Sequence, residues 1–278
     1  MAIIKPDSYD NLSTRLKAQA DRRTVIRAGA GAALAASALT GSGPAVAQDE
    51  MTSTAVATPD VCILTPELME GPFWLDHELI RTDITQARAG VPLDLKIQVL
   101  DPNSCSAIEH AAVDIWHCDA LGYYSGIAVN QPSQGDPVPE DLASIPTDTF
   151  LRGVQLTDAD GAVQFKTIYP GWYAGRAIHI HMKVFVGGAI ENTTDTYEGG
   201  HTAHTGQLFF DEESNDLVFS EKPYSTRVTP RLANRDDSIL GDHADEPGFM
   251  LHLELNDPDD VWKGLTASIT VGVDPITA

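Results

Sequence analysis

Two histidines that alternate with apolar residues have the clearest potential for chemistry in this sequence. His179 and His181 alternate with Ile178 and Ile180 within residues 176–184. Because residues two apart on a β-strand project from one face, both imidazoles are predicted to point one way and both isoleucines the other. Two imidazoles at this spacing can share one metal ion. A pair of solvated surface histidines is the structural alternative.

Tyrosines stand beside glycine turns in two segments upstream of the histidines. Tyr123 and Tyr124 follow Gly122, and Tyr173 comes shortly after residues 170–171, a Pro-Gly pair. A single tyrosine beside a turn is more often a packing residue with its hydroxyl in water. In combination with two neutral histidines, however, the hard anionic oxygen of a phenolate suits ferric iron better than zinc or copper(I).

Five separated motifs follow one another along the chain, at residues 65–74, 114–124, 167–173, 176–184 and 207–210. Their residues and order resemble those of the intradiol ring-cleavage dioxygenases, which open catechols between the two hydroxyl-bearing carbons. The resemblance extends from Thr65 to the predicted strand that contains Phe209. It implies cleavage of an aromatic ortho-diol with O2 to a muconate-type dicarboxylic acid.

The same resemblance assigns roles to individual residues. It implies one Fe(3+) per chain and no organic cofactor, with four metal ligands: Tyr124, Tyr173, His179 and His181. It further implies that Tyr173 accepts a substrate proton and that Arg176 stabilises developing charge, with Gln207 nearby in the same catalytic pocket. Gly71 and Pro72 would contact the substrate together with Arg176.

Two other functions remain open from the sequence. An exported β-sandwich could serve binding or adhesion without dioxygenase activity. A copper or zinc oxygenase could use His179, His181 and a third histidine. His201 and His204 could form a second metal pair, although they are expected in a glycine-rich loop.

Period-two patterns predict the elements that must position these residues. Leu93, Leu95, Ile97 and Val99 alternate with polar residues, and similar alternation recurs at residues 113–116, 251–255 and 269–273. The pattern predicts an all-β class with a two-sheet antiparallel β-sandwich, immunoglobulin- or transthyretin-like, of about seven to nine strands. Long loops are expected at residues 130–149 and 191–205, and the Gly187-Gly188 pair predicts a turn.

Composition restricts the partners. The 278 residues carry a net charge of -22, which argues against nucleic-acid binding, since that requires a basic surface. Acidic pairs such as Asp236 and Asp237 are expected to be solvated. No apolar run reaches the roughly 18 residues that a membrane-spanning helix needs. The partners predicted are a small aromatic diol and O2, with the protein a monomer or a small homo-oligomer.

The N-terminal region resembles an export signal. Arg22-Arg23 precede an Ala/Gly-rich apolar stretch that ends before Ala45-Val46-Ala47, so residues 1–47 are predicted to be a twin-arginine (Tat) signal peptide. Residues 48–60 are predicted to be a linker and residues 61–278 the catalytic domain. The Tat export machinery would be a partner and the location periplasmic or extracellular.

Cysteines can pair outside the cytoplasm. Of the three cysteines, Cys62 and Cys105 are predicted to form a disulfide, and Cys118 is predicted to stay reduced because it falls in a strand-like run.

Overall fold

A computed structural model describes residues 62–76, 79–128, 135–191, 196–246 and 248–276. The chain divides into two units, residues 1–59 and 60–278, and every described residue belongs to the second unit. The predicted signal peptide at residues 1–47 and the predicted linker at 48–60 therefore lie outside the described residues.

The first sheet has four strands in the order β4-β1-β8-β7. Their bounds are Pro92–Leu100 for β1, Ala162–Ile168 for β4, His252–Leu255 for β7 and Leu265–Gly272 for β8. In β1 the four alternating residues Leu93, Leu95, Ile97 and Val99 are all buried, whereas Lys96 between them is exposed. One face of this strand therefore enters the core, as the alternation predicts.

The second sheet also has four strands, in the order β3-β2-β5-β6. Their bounds are Ala112–Trp116 for β2, Arg152–Leu156 for β3, His179–Glu191 for β5 and Thr196–Phe209 for β6. All pairings in this sheet are antiparallel. The two longest of the described strands, β5 and β6, pair with each other along their length.

The main hydrophobic core contains inward residues of both sheets. From the first sheet come residues such as Leu95 and Phe165, and from the second Ile115, Ile180 and Met182. The predicted two-sheet β-sandwich is confirmed. One detail differs from the antiparallel prediction: β1 and β8 pair in parallel, from Leu93 with Leu265 to Leu100 with Gly272.

Two predictions about the second sheet are wrong. Residues 196–205, expected in a loop, belong to β6, and the Gly187-Gly188 pair lies inside β5 rather than in a turn. Gly187 keeps a positive φ of 79°, so the glycine supports an irregular strand and not a chain reversal. Glycine-rich composition alone did not distinguish these two cases.

The remaining described segments are mostly loops and short 3-10 turns around one helix. Helix α1 spans Glu212–Phe219, and its N-cap Asp211 accepts a hydrogen bond from the Ser214 N–H. The predicted disulfide between Cys62 and Cys105 is present, and Cys118 is free and buried. Within the described part of the chain, no helix is long and apolar enough to span a membrane.

Candidate metal centre

The candidate centre lies on the face of the second sheet that turns away from the first sheet. His179 and His181 project there from β5, while Ile178 and Ile180 enter the main core. This arrangement confirms the opposite-face prediction. Gln207 of β6 stands directly across from His181 in the strand pairing. Segments that are distant in sequence cover this face, so both histidines are buried.

Hydrogen bonds fix the chemical form of one imidazole. The Nδ1 atom of His179 lies 2.7 Å from the Ala177 carbonyl oxygen. Because a carbonyl can only accept, Nδ1 carries the proton and Nε2 presents a lone pair. That Nε2 lies 3.0 Å from Nε2 of His181 and 3.4 Å from the Tyr173 hydroxyl. Three donor atoms of metal-binding type therefore converge at one point.

The two tyrosines reach the histidines from separate loops. Tyr124 follows β2 in a turn organised by Asp119, whose carboxylate accepts the N–H groups of Leu121 and Tyr123. Tyr173 follows β4 after a turn, and the ring centroids of the two tyrosines are 5.9 Å apart. Tyr124 is fully buried, whereas Tyr173 is partly exposed. Only Tyr173 is therefore open to solvent or an incoming ligand.

Burial shifts the proton equilibria of the four groups in ways that depend on their charge. It lowers the pKa of His179 to about 3 and that of His181 well below its ordinary value, so both are neutral near pH 7. Burial raises the pKa of Tyr173 to about 12 and that of Tyr124 well above 10. The imidazoles are therefore ready to donate lone pairs, whereas both phenols need a nearby cation before they ionise.

Aromatic rings frame the centre. The Phe73 ring stacks on Tyr124 with centroids 4.4 Å apart and meets Tyr173 edge-on at 5.5 Å. The Trp116 ring is parallel to the His181 imidazole at 4.9 Å. These contacts restrict rotation of the side chains and exclude water from around them.

Gly71 brings the N-terminal segment against the histidine. Its φ is +76°, and a Cβ atom placed there would stand only 3.0 Å from Cε1 of His181. A residue with a side chain would be strained and would press on the imidazole. Pro72, the next residue, is exposed.

Arg176 is held beside the four groups by two partners. The Arg176 Nε atom donates to Asp237 at 2.9 Å, and its NH2 atom donates to the Gln207 side-chain oxygen. Its NH1 atom lies 3.5 Å from the Tyr173 hydroxyl. Gln207 in turn donates to the Met69 carbonyl at 2.8 Å. The guanidinium is therefore fixed with one edge toward the tyrosine.

Asp237 differs from its predicted state, because it is buried and not solvated. Its carboxylate accepts the N–H groups of Ala177, Ile239 and Leu240 as well as the Arg176 Nε. Burial by itself would raise the pKa of Asp237, but these donors and the guanidinium together lower it. Asp236 beside it is exposed, as predicted.

The structure thus brings together every site residue predicted from the sequence except Pro72, which is exposed. Sequence reasoning missed Asp237, Phe73 and Trp116. Phe73 directly follows the Gly71-Pro72 pair and could have been included on that ground. No local pattern marks Asp237, because its partner lies 61 positions away.

The other histidines do not extend the centre. His117 bonds to the Cys118 carbonyl and the Thr167 hydroxyl. His201 and His204 lie on β6, not in the loop that was expected. In the described ranges no group of three or more His, Cys, Asp or Glu side chains is arranged to hold a metal.

Comparisons with known proteins agree with one another. A family model described as Dioxygenase matches residues 63–218. Catechol 1,2-dioxygenase 1 from Acinetobacter lwoffii is 24% identical over 207 residues, which are 65% of this chain and 58% of that protein. The chain therefore spans less than two thirds of the length of this curated relative.

Solved structures are similar over most of the chain. The intradiol ring-cleavage dioxygenase from Tetranychus urticae is 30% identical with a TM-score of 0.61, covering 78% of this chain and 96% of that one. The dioxygenase domain of a dioxygenase and carbohydrate-binding fusion protein from Streptomyces sp. SirexAA-E is 24% identical with a TM-score of 0.50. That match covers 76% of this chain and 99% of the domain, and it supports the fold.

Proposed function

The chain belongs to the intradiol ring-cleavage dioxygenase family, and from that premise we propose that it cleaves a catechol-type ortho-diol with O2. The bond cleaved would be the one between the two hydroxyl-bearing carbons, and the product a muconate-type dicarboxylic acid. One ferric ion per chain would be the cofactor. The observation that carries this proposal is the convergence of two imidazoles and two phenols in a buried, aromatic-walled centre.

The donor set fits ferric iron. His179 presents an Nε2 lone pair toward Nε2 of His181 and the Tyr173 hydroxyl, and Tyr124 lies with its ring centroid 6.1 Å from that of His181. Phenolate oxygens are hard ligands that match a hard, highly charged cation. Bound at these four residues, ferric iron would supply the positive charge that ionises both phenols and activates the diol toward O2.

Tyr173 is the residue best placed to accept a proton from the diol. Its ring is partly exposed, unlike that of Tyr124, and its hydroxyl oxygen is 3.5 Å from the Arg176 NH1. As a phenolate it could accept a proton from a diol oxygen within hydrogen-bonding reach. Tyr124, buried and stacked on Phe73, would remain fixed.

Arg176 would stabilise negative charge on the substrate. The Asp237 carboxylate and the Gln207 oxygen orient the guanidinium, so it needs little reorganisation when that charge develops. Gln207 is tied to the Met69 carbonyl and would act mainly by holding Arg176 in place. Gly71, against the His181 ring, would let the N-terminal segment approach the substrate closely.

The net charge supports an uncharged substrate. A net charge of -22 disfavours anionic substrates at long range, so an uncharged ortho-diol such as catechol is the first compound to test. Hydroxyquinol, protocatechuate and larger lignin- or tannin-derived diols would complete the panel. A lower kcat/KM for protocatechuate than for catechol is expected, because protocatechuate carries a carboxylate.

A visible absorption spectrum of the purified protein tests the proposed function. Iron is measured in parallel, and the spectrum is recorded before and after anaerobic addition of catechol. A coloured protein with one iron per chain, whose band moves to longer wavelength with catechol, is expected for tyrosinate ligation. A protein that stays colourless after reconstitution with ferric iron would overturn the proposal.

The spectrum also separates the alternatives. A binding or adhesion module would give no catechol-dependent change in the spectrum and no ring-cleavage product. A copper or zinc oxygenase needs a third histidine, yet the nearby His117 already bonds to Cys118 and Thr167 through its two ring nitrogens. Metal analysis distinguishes this case directly.

We also propose that the protein is exported through the twin-arginine route. The Cys62–Cys105 disulfide supports a periplasmic or extracellular location, because disulfides persist in oxidising compartments. Replacement of Arg22 and Arg23 by lysine is expected to leave the protein in the cytoplasm. Fractionation of cells expressing both forms, followed by N-terminal sequencing of the secreted chain, would test export and the cleavage after Ala47.

A further inference from the structure

The two loops that carry the tyrosines contact each other away from the metal-binding atoms. Gly122, two residues before Tyr124, has a φ of +89°, and a Cβ atom there would lie 2.3 Å from the Trp172 carbonyl oxygen. Trp172 directly precedes Tyr173. The backbones of the two loops therefore approach too closely for any side chain at position 122.

Arg227 lies at this junction. Its NH1 donates to the Trp172 carbonyl, and its guanidinium carbon lies 4.6 Å from the centroid of the Trp172 ring. The same NH1 would be only 2.4 Å from a Cβ atom at Gly122. One guanidinium thus contacts both loops at the backbone next to the tyrosines.

Asp136 fixes the guanidinium from the other side. Its Oδ2 accepts from Arg227 NH2 at 2.7 Å, and the two side chains are only 2% and 3% exposed. Its Oδ1 accepts the N–H groups of Val228 at 2.7 Å and Thr229 at 2.8 Å. The carboxylate therefore holds both the arginine side chain and the backbone that follows it.

We propose that Arg227, anchored by Asp136, is a positioning residue that sets the relative placement of Tyr124 and Tyr173. The inference rests on the proposed function, since it concerns how two phenols are presented to one ferric ion. Neither Arg227 nor Asp136 belongs to the four donor residues or to the group around Arg176. The pair acts through the backbone of the two loops.

The energetic reason is that a buried ion pair acts as a rigid connection between segments. Removal of one partner leaves a buried charge uncompensated, so the loops must rearrange to solvate it. Residues that orient metal ligands without touching the metal typically alter affinity by about 10- to 100-fold when replaced. A displacement of either loop would change phenolate geometry without altering the donor set.

The test compares three variants as iron-loaded, full-length mature proteins. Arg227→Met removes the bridge, and Asp136→Asn keeps the shape of the anchor but removes its charge. Arg231→Met is the matched control: Arg231 also pairs with two carboxylates, Glu212 and Asp216, and lies 5.3 Å from the Phe219 ring centroid. That control measures the general cost of losing a paired arginine near a loop.

Two readouts are independent of turnover: the dissociation constant for ferric iron and the visible band per bound iron. Arg227→Met and Asp136→Asn are expected to weaken iron binding by about tenfold or more and to reduce the band intensity per iron. Arg231→Met is expected to change neither. If Arg227→Met does not fold by circular dichroism, Asp136→Asn decides the question.

The possible results separate the two proposals. Wild-type colour with an unchanged band and unchanged iron affinity in a folded Arg227→Met or Asp136→Asn protein would overturn the positioning role and leave the proposed function intact. An equal effect in Arg231→Met would also overturn it. A colourless wild-type protein would overturn the proposed function, and the positioning role with it.

Discussion

The two faces of the second sheet are built from the same strands but are buried by different means. On the inner face, Ile180 and Met182 pack against the opposite sheet in one continuous apolar core. On the outer face, His179 and His181 are equally buried, yet residues from loops cover them, with Phe73 on Tyr124 and Asp237 on Arg176. Packing against the opposite sheet buries the inner face, whereas burial of the outer face depends on individual contacts between distant segments.

This difference predicts that substitution of an inner-face apolar residue changes stability, whereas substitution of an outer-face histidine changes chemistry. The sharpest comparison uses neighbours on β5. His181→Ala is expected to lose bound iron and ring cleavage to below detection while the protein stays folded. Ile180→Ala is expected to cost about 2–5 kcal/mol of unfolding free energy and to retain the iron and its spectrum. Iron analysis and urea denaturation measure the two effects.

A His181→Ala protein with full iron content and normal turnover would contradict this division of roles. So would an Ile180→Ala protein of unchanged stability.

The next comparison is between Tyr173 in the candidate centre and Tyr123, which packs in the main core. Tyr173→Phe is expected to retain most iron but to slow turnover by about a hundredfold, because the proposed base for the substrate proton is lost. Stopped-flow absorbance after anaerobic mixing with catechol would show the slow step. Tyr123→Phe is the control, since the Tyr123 hydroxyl donates to the Pro137 carbonyl at 3.4 Å and the residue belongs to the main core. Unaltered turnover in Tyr173→Phe would rule out its role as a base.

Asp236 and Asp237 give a third comparison, between adjacent carboxylates of opposite burial. Asp237→Asn is expected to cost about 3 kcal/mol of stability and to lower kcat, because Arg176 loses its buried partner. Asp236→Asn is expected to change neither, since its side chain is exposed. Thermal unfolding and steady-state kinetics of both variants test this pair, and equal effects would refute the contrast.

The last prediction concerns acid stability. Burial lowers the pKa of His204 to about 4, below its unfolded value near 6.5. The unfolded chain therefore binds a proton first as the pH falls, so stability is lost between about pH 6.5 and pH 4, by at most about 1.4 kcal/mol per pH unit. In iron-free protein, His204→Gln is expected to lose less stability than wild type over this range. Parallel pH profiles of the urea midpoint would contradict this prediction.

The sequence predicts which residues share a strand face well, because that information is local. The alternation in β1 and the spacing of His179 and His181 each fix a face within a few residues. By contrast, a tyrosine beside a glycine has no distinctive local pattern, and only the order of several motifs identified Tyr124 and Tyr173. The fold could therefore be derived from periodicity, whereas the proposed ligand set needed the family resemblance.

The outer cover could not be predicted for a physical reason. Asp237 resembles any acidic surface residue until Arg176 and three backbone N–H groups are placed around it. The glycine and threonine residues of β6 have the composition of a loop, and pairing with β5, not intrinsic preference, makes them a strand. Both cases depend on contacts between segments that are distant in sequence.

The parallel pairing of β1 with β8 has a consequence for the time course of folding. In the sheet order β4-β1-β8-β7, β8 lies between β1 and β7. Half of that sheet, β8 and β7, therefore cannot pair until residues 265–272 are available. Contacts between residues so far apart in sequence slow folding, because the intervening chain must close into a loop before the strand pairing can stabilise that loop. The sandwich is therefore expected to form only after the last strand has left the ribosome, and a chain exported in the folded state would have to wait for that event.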